Sequence, residues 1–314
     1  MTVAVLGATG SVGRLVVEAL NMLDVGPVRA GMRATVDAAD RDSLARFVEG
    51  AAVLVNCLGP GYRLRGRVVA VADRQGCAYV DPSGDDALHA RLLRESVRVP
   101  VVTGAGSVPG GLGLLVRWLA RGRGAGDRIR GYVLTDEPIH SGTALEFLLG
   151  ARAGQGVGPP ASVQLPSVEG RLVAYPFESL ETAGLAADLK PEDAAFYHCF
   201  PADSSTLRAL RELSGSSLRE AAVALAAAVN ADVSGRAATH LLVATVADRT
   251  AVLTAGSSYR VSANVAALAV EEVLAGRVPD GVARAGALDP RIVIRLPQLP
   301  GGIQLTLLSS TSVE

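Results

Sequence analysis

Lysine is almost missing from this chain. Of 30 basic residues in 314, only Lys190 is a lysine. The bias, together with abundant alanine, valine and glycine, reads as that of a GC-rich coding sequence, yet it has a chemical consequence. Any mechanism that needs an amine must use Lys190. The Tyr-x-x-x-Lys pair of short-chain dehydrogenases is excluded, because Ala186 stands four residues before that lysine. Cysteine is scarce as well. Cys57, Cys77 and Cys199 show no CxxC spacing and are expected to be reduced thiols of a cytoplasmic protein. The histidines, His89, His140, His198 and His240, lie far apart with no HxH or HxxxH pair, so no metal site is expected. Charged residues are 19% and the net charge is −1, which leaves no electrostatic case for nucleic acid or an anionic membrane. The longest apolar run, Ala221 to Ala231, falls short of a membrane span and contains Asn230. The chain enters its first strand at once, so no signal peptide is expected.

What the chain has in quantity is core-forming residues, at 49%, and glycine, at 35 residues. The length suits one large domain or two. The first thirteen residues carry the sharpest signal. An apolar run, Val3 to Leu6, breaks at Gly7; Gly10 and Gly13 follow at three-residue steps; and a helical pattern begins at once with Leu15, Val16, Val17, Ala19 and Leu20. This is a strand, a tight turn and a helix N-terminus that cradles a pyrophosphate. Gly7 permits the turn, Gly10 lets backbone approach the phosphates, and Gly13 lets helix and strand pack closely. Unpaired N–H groups and the positive end of the helix dipole face the anion. Gly7, Thr9, Gly10, Ser11, Val12 and Gly13 are therefore expected to bind a dinucleotide.

Strands are expected at Pro27–Arg33, Thr35–Ala38, Ala52–Leu58, Ala78–Val80 and Pro100–Thr103, with helices near residues 42–49, 67–75 and 85–96. Asp40 or Asp42 caps the first of these helices. The connection between the second and third strands is too short for a crossover helix, which predicts a truncated unit with the second strand near the sheet edge. Alternation of this kind predicts an α/β fold, a doubly wound parallel sheet of Rossmann type. The rhythm changes near residue 125. A strand at 129–134, a helix opening at Ser141-Gly-Thr143, an irregular stretch over 151–170, a capping box at Ser217–Glu220 and a hairpin over 239–254 predict an inserted α+β substrate domain. The expected division is residues 1–122 plus about 258–314 for the dinucleotide-binding domain and about 123–257 for the substrate domain.

A carboxylate at the end of the second strand usually grips the ribose of NAD, whereas arginine there favours the extra phosphate of NADP. This strand ends at Met32-Arg33, with no Asp or Glu, so NADPH is the expected cofactor and Arg33 its phosphate partner. Asp37 and Asp40 follow, and Asp40 is a candidate contact for the adenine half. The loop Cys57-Leu58-Gly59-Pro60, at the carboxyl end of a predicted strand, completes the expected cofactor contacts.

The pieces together resemble the saccharopine dehydrogenase (reductase)-like NAD(P)-binding family. The resemblance rests on Gly7-Ala-Thr-Gly10, Val36-Asp37 to Leu44, Asn56-Cys-Leu-Gly-Pro60, the run Val68 to Gly84 that ends Tyr-Val-Asp-Pro-Ser-Gly, Gly106-Ser-Val-Pro-Gly110, Ser141-Gly-Thr-Ala144, and Gly276 through Asp289. It is strong over residues 1–115 and scattered beyond. It implies a Rossmann domain completed by the C-terminal segment, a substrate domain between, homodimerisation through that domain, and reduction of a C=N bond with NADPH.

Imine reduction needs a hydride held over carbon and a proton for nitrogen. Tyr62, Asp81 and His140 are the candidate acids. Each has a plainer role: Tyr62 packing on the cofactor, Asp81 capping a turn or helix, His140 sitting on a surface loop. Tyr197-His198-Cys199 holds two further acids, and core packing is the simpler reading of them. An acyl-enzyme dehydrogenase would need a nucleophilic cysteine, and only Cys199 beside His198 is tenable. The expected substrate is a small or carrier-bound cyclic imine, such as a thiazoline of peptide or siderophore biosynthesis. An amino-acid imine of primary metabolism is the alternative. A non-catalytic NADP-binding sensor is the rival of a different class.

Overall fold

The computed structural model describes residues 1–59, 64–83, 85–153, 159–212 and 217–309. Chain contacts divide it into two units. One comprises Met1–Leu114 with Tyr259–Pro300; the other comprises Leu115–Ser258 with the segment from Gly301 onward.

The first unit alternates strand and helix: β1 Thr2–Leu6, α1 Gly13–Met22, β2 Val28–Gly31, α2 Arg41–Val48, β3 Ala51–Asn56, α3 Arg65–Arg74, β4 Ala78–Val80, α4 Asp86–Leu92 and β5 Pro100–Thr103. α5, Gly111–Leu119, passes from one unit into the other. The second unit holds β6 Arg128–Asp136, α6 Ser141–Ala153, β7 Ala161–Val163, β8 Leu172–Pro176, α7 Leu180–Leu189, β9 Asp193–Pro201, α8 Ser205–Glu212, α9 Leu218–Asp232, β10 Thr239–Val246 and β11 Arg249–Ala255. The chain then returns to the first unit with α10 Ser258–Leu274, β12 Gly281–Arg284 and α11 Ile292–Arg295, and ends in β13 Gln304–Ser309.

The first sheet has six parallel strands in the order β12-β5-β4-β3-β1-β2. Parallel strands buried on both faces read as continuous apolar runs, which is why Val3 to Leu6 and Val53 to Val55 are each at most 2% exposed. α2, α3 and α4 cover one face, where Leu44, Val48, Val68, Leu88 and Leu92 pack on Leu6, Leu54 and Tyr79. α1 presents Leu15, Val16, Ala19 and Leu20, all nearly or fully buried. Each buried leucine or valine among them contributes roughly 1.5–3 kcal/mol. The expected doubly wound Rossmann architecture is present. The order reverses at β1 and β3, so the crevice beyond their carboxyl ends is where such a sheet holds a ligand.

Two expectations near β2 are corrected. Thr35–Ala38 is not a strand, although Val36 and Ala38 are buried in alternation. Local turn chemistry outcompetes the sheet ladder. Thr35 Oγ1 bonds the Met32 backbone, Asp37 Oδ1 accepts from Ala39 N at 2.8 Å, and Ser43 Oγ accepts from Asp37 N. The crossover expected to be missing is therefore present, made of this loop and α2 between β2 and β3. β2 does lie at the sheet edge.

The second sheet is mixed, ordered β13-β11-β10-β6-β9-β8-β7, with only β6 and β9 parallel. β10 and β11 form the expected hairpin, and the box at Ser217 and Glu220 caps α9 as read from sequence. The tail is a further correction. The segment expected to complete the first domain divides: α10, β12 and α11 do belong there, whereas β13 pairs with β11 of the second sheet, from Thr254↔Gln304 to Arg249↔Ser309. In β13 Leu305 and Leu308 are partly buried while Gln304, Thr306 and Leu307 are exposed, as on an outer antiparallel strand.

Candidate dinucleotide site

The turn after β1 has the expected geometry. Gly7 has φ +77°, and a Cβ there would meet Cys57 O at 2.8 Å. A Cβ on Gly13 would lie 2.1 Å from Gly7 O, so only glycine lets α1 start this close to the strand. Gly10 differs: its Cβ would sit 3.3 Å from the same oxygen, a tight but adjustable approach. Gly7 N and Ala8 N donate to Gly31 O, tying the turn to the end of β2, and Gly10 N donates to Gly7 O. Among the described residues, no backbone acceptor takes the N–H groups of Ser11, Val12 or Gly13. Val12, at the N-cap, makes no side-chain cap bond, and the first turn of α1 contains no acid. The helix end is thus left with unspent donors and uncompensated positive dipole, and Thr9 and Gly10 are exposed beside it. These residues fit a pyrophosphate.

Cys57 and Leu58 lie next to the turn, on the other side of the switch point. Cys57 N donates to Leu6 O, and Leu58 N donates to Asn56 Oδ1 at 3.3 Å. Gly59 is exposed. Pro60 and Tyr62 lie outside the described residues. Burial, then the Asp81 charge, push the Cys57 thiol far up, so it is a neutral lining group.

Beneath this loop runs a buried polar chain. Asn56 Nδ2 donates to Tyr79 Oη at 2.9 Å, and Tyr79 Oη donates to Asp81 Oδ2 at 2.7 Å. Asp81 Oδ1 accepts from Ser83 N at 2.8 Å, and Arg65 Nε lies 3.6 Å from Asp81 Oδ2. A second arm of Arg65 reaches Asp85, the N-cap of α4, at 3.7 Å. Asn56, Tyr79, Asp81 and Arg65 are each at most 3% exposed. Burial raises the Asp81 pKa, while Arg65, Tyr79 and Ser83 pull it back. Burial and the neighbouring carboxylate hold the Tyr79 phenol well above its usual range. Asp81, expected as an acid, has its oxygens committed within this network, where it positions neighbours. Sequence reading missed Asn56, Tyr79 and Arg65. The signal was present: residues two apart on a strand share a face, and the β3–β4 register puts Tyr79 and Asp81 on the same face as Asn56.

Arg33 is exposed in the turn that follows β2, and no carboxylate occupies the strand end. Asp40, expected either to cap α2 or to meet the adenine half, caps α2: its carboxylate accepts from Asp42 N and Ser43 N. In the second unit, His140 is exposed immediately before α6, and Ala144 N donates to its carbonyl. The other histidines are held neutral by burial. His89 and His198 are pushed down to about 4 and His240 to about 3. His89 Nδ1 pairs with Thr103 Oγ1 at 2.7 Å and His240 Nδ1 with Thr135 Oγ1 at 2.9 Å. Burial raises the Cys199 thiol to about 12, so it offers no thiolate beside His198. Among the described residues, no group of three His, Cys, Asp or Glu could hold a metal, and no helix is long and apolar enough to cross a membrane.

The fold is shared with a known dehydrogenase. Saccharopine dehydrogenase (L-Glu forming) from Saccharomyces cerevisiae superposes with a TM-score of 0.60 over 98% of this chain and 100% of that one, at 12% identity. The WlbA (WbpB) dehydrogenase from Thermus thermophilus, in complex with NAD and UDP-GlcNAcA, aligns over 99% of this chain and 97% of its own at 13% identity, with a TM-score of 0.44. No family model and no curated relative matches the sequence. The likeness to the saccharopine dehydrogenase is one of fold, across both units and along the whole length.

Proposed function

We propose that this protein is an NADPH-dependent reductase of C=N bonds, working in the cytoplasm on a small or carrier-bound cyclic imine such as a thiazoline of peptide or siderophore biosynthesis. The observation that carries this reading is the open helix end at Ser11 to Gly13, at the switch point of a parallel sheet whose β2 is followed by exposed Arg33, with no acid at the strand end. The turn binds the pyrophosphate through backbone N–H groups. Arg33 is the partner of the extra phosphate. The nicotinamide supplies the hydride when bound. Cys57, Leu58 and Gly59 line its side of the crevice, held from below by Asn56. An iminium is already activated, so a solvent-connected acid suffices for nitrogen; exposed His140 at the start of α6 is the candidate among the described residues, with Tyr62 the other. Self-association is assigned to the second unit, where β13 is an outer strand without a charged residue and carries Leu307, 58% exposed.

The test is oxidation of NADPH by the purified chain with a thiazoline, a five-membered cyclic imine and an open-chain amino-acid imine. Turnover of the cyclic substrates supports the reading. Turnover of the open-chain imine alone moves the substrate to primary metabolism. Tight NADPH binding with no turnover of any of the three overturns catalysis in favour of a sensor.

A further inference from the structure

The chain has five phenylalanines, and four of them lie around His198. Strand pairing explains how. Phe196, His198 and Phe200 alternate along β9 and so share one face of the sheet. Tyr175 of β8 is opposite His198, and Phe177 N donates to Phe196 O, which brings Phe177 to the same face. Phe147 reaches the imidazole from α6. The rings are arranged about His198: Phe177 lies 4.3 Å away at 30°, and Phe147 meets it edge-on at 5.3 Å and 76°. Tyr175 and Phe200 form an edge-to-face pair at 6.1 Å beside them.

A small core would bury such rings, but here Phe147, Tyr175, Phe177, His198 and Phe200 are all only partly buried. His198 also differs from His89 and His240. Those two each hydrogen-bond a threonine, whereas neither nitrogen of His198 meets a hydrogen-bond partner among the described residues. Its nitrogens are not sealed from solvent, so a polar edge framed by aromatic faces stands open to a ligand. Its imidazole stays neutral at physiological pH, so it offers one donor and one acceptor and no charge.

We infer that this aromatic cluster is a recognition site for a planar aromatic or heteroaromatic ring, which stacks among Phe147 and Phe177 and hydrogen-bonds His198. The inference rests on the reductase reading for its role, since the ring would belong to the substrate. Offset-stacked and edge-to-face geometries at these separations are those that aromatic pairs favour.

The experiment compares 2-phenyl-1-pyrroline with 2-methyl-1-pyrroline, by direct binding to the full chain with and without NADPH. In parallel, the histidine Hε1 protons are followed by NMR, four signals in all, with His198 identified from a His198→Gln variant. The phenyl compound is expected to bind about tenfold tighter and to shift the His198 signal. Phe177→Leu and Phe147→Leu are expected to remove most of that preference while NADPH affinity stays the same. Equal binding of the two compounds overturns the site, as does phenyl binding that leaves the His198 signal unmoved in the wild type. That second measurement needs no substitution, so it stands even where a variant fails to fold. An aryl preference without NADPH binding refutes the reductase reading and leaves the ring site in place. NADPH oxidation without an aryl preference does the reverse.

Discussion

Tyr79 Oη donates to Asp81 Oδ2 at 2.7 Å, with both side chains sealed from solvent. The pair links Asn56, which holds the Cys57–Gly59 loop through Leu58 N, to Arg65 and the start of α4. The floor of the crevice is therefore a polar, cross-linked network.

Tyr79→Phe keeps the ring and deletes the hydroxyl. It leaves Asn56 Nδ2 and one Asp81 oxygen each short of a buried partner. Stability should fall by about 1–3 kcal/mol, read from urea unfolding. NADPH affinity should fall beyond what the population of folded protein explains, because the loop above loses its anchor. Unchanged values of both would show that the network holds nothing.

Two glycines of the turn should separate folding from binding. Gly13→Ala drives a methyl against Gly7 O and should unfold the junction of β1 and α1, seen as lost solubility or a collapsed thermal midpoint. Gly10→Ala needs only a small adjustment of its neighbour. It should fold yet bind NADPH at least about tenfold more weakly, by fluorescence of the reduced nicotinamide, because the methyl fills the approach of the phosphates.

Arg33→Ala should weaken NADPH by about tenfold or more and leave NADH nearly unchanged, since charge-assisted contacts to a phosphate are among the stronger polar ones. Equal losses for both nucleotides would refute the assignment of Arg33 to the extra phosphate.

Acid should destabilise the fold early. His89, His198 and His240 are neutral in the folded chain down to about pH 4, 4 and 3, whereas unfolded histidine takes its proton near 6.5. Between those limits the unfolded state binds up to three more protons, so stability is complete above 6.5 and is lost as pH falls. The slope should approach about 4 kcal/mol per pH unit near pH 5, at about 1.4 for each proton. Asp81, whose folded pKa is raised, acts in the opposite sense at the acid end and blunts the fall. His240→Gln should reduce the slope by about one proton, in urea unfolding measured as a function of pH.

Leu307→Lys places a charge on the outer strand of the second sheet. It should convert the proposed dimer to monomer in light scattering, with no loss of thermal stability in the monomer. A wild-type protein that is already monomeric would refute self-association.

The parts of the fold that follow from period and turn chemistry were legible in the sequence. The Gly7–Gly13 turn, the parallel strands and the α9 capping box all carry their cause in residues close together. What was misread depends on competition between local and distant partners. Val36 and Ala38 alternate as a strand would, but Asp37, Thr35 and Ser43 satisfy the backbone locally, so no ladder forms. Leu305 and Leu307 carry no mark of which sheet they join; that choice is made by β11. At the site, Asp40 is legible both as the cap of α2 and as an adenine contact, and Asp81 both as an acid and as a turn cap; in the structure Asp40 caps α2 and Asp81 is engaged by Tyr79, Ser83 and Arg65. A carboxylate's availability depends on its neighbours in space, and those come from elsewhere in the chain.

The division of the tail has a consequence for how this protein is made. The first unit lacks β12 and most of α10 until residues 259–300 exist, and the second lacks β13 until residues 304–309 follow. During synthesis the first sheet keeps an open edge at β5 until β12 is made, and the second keeps an open edge at β11 until β13 follows about twenty residues later.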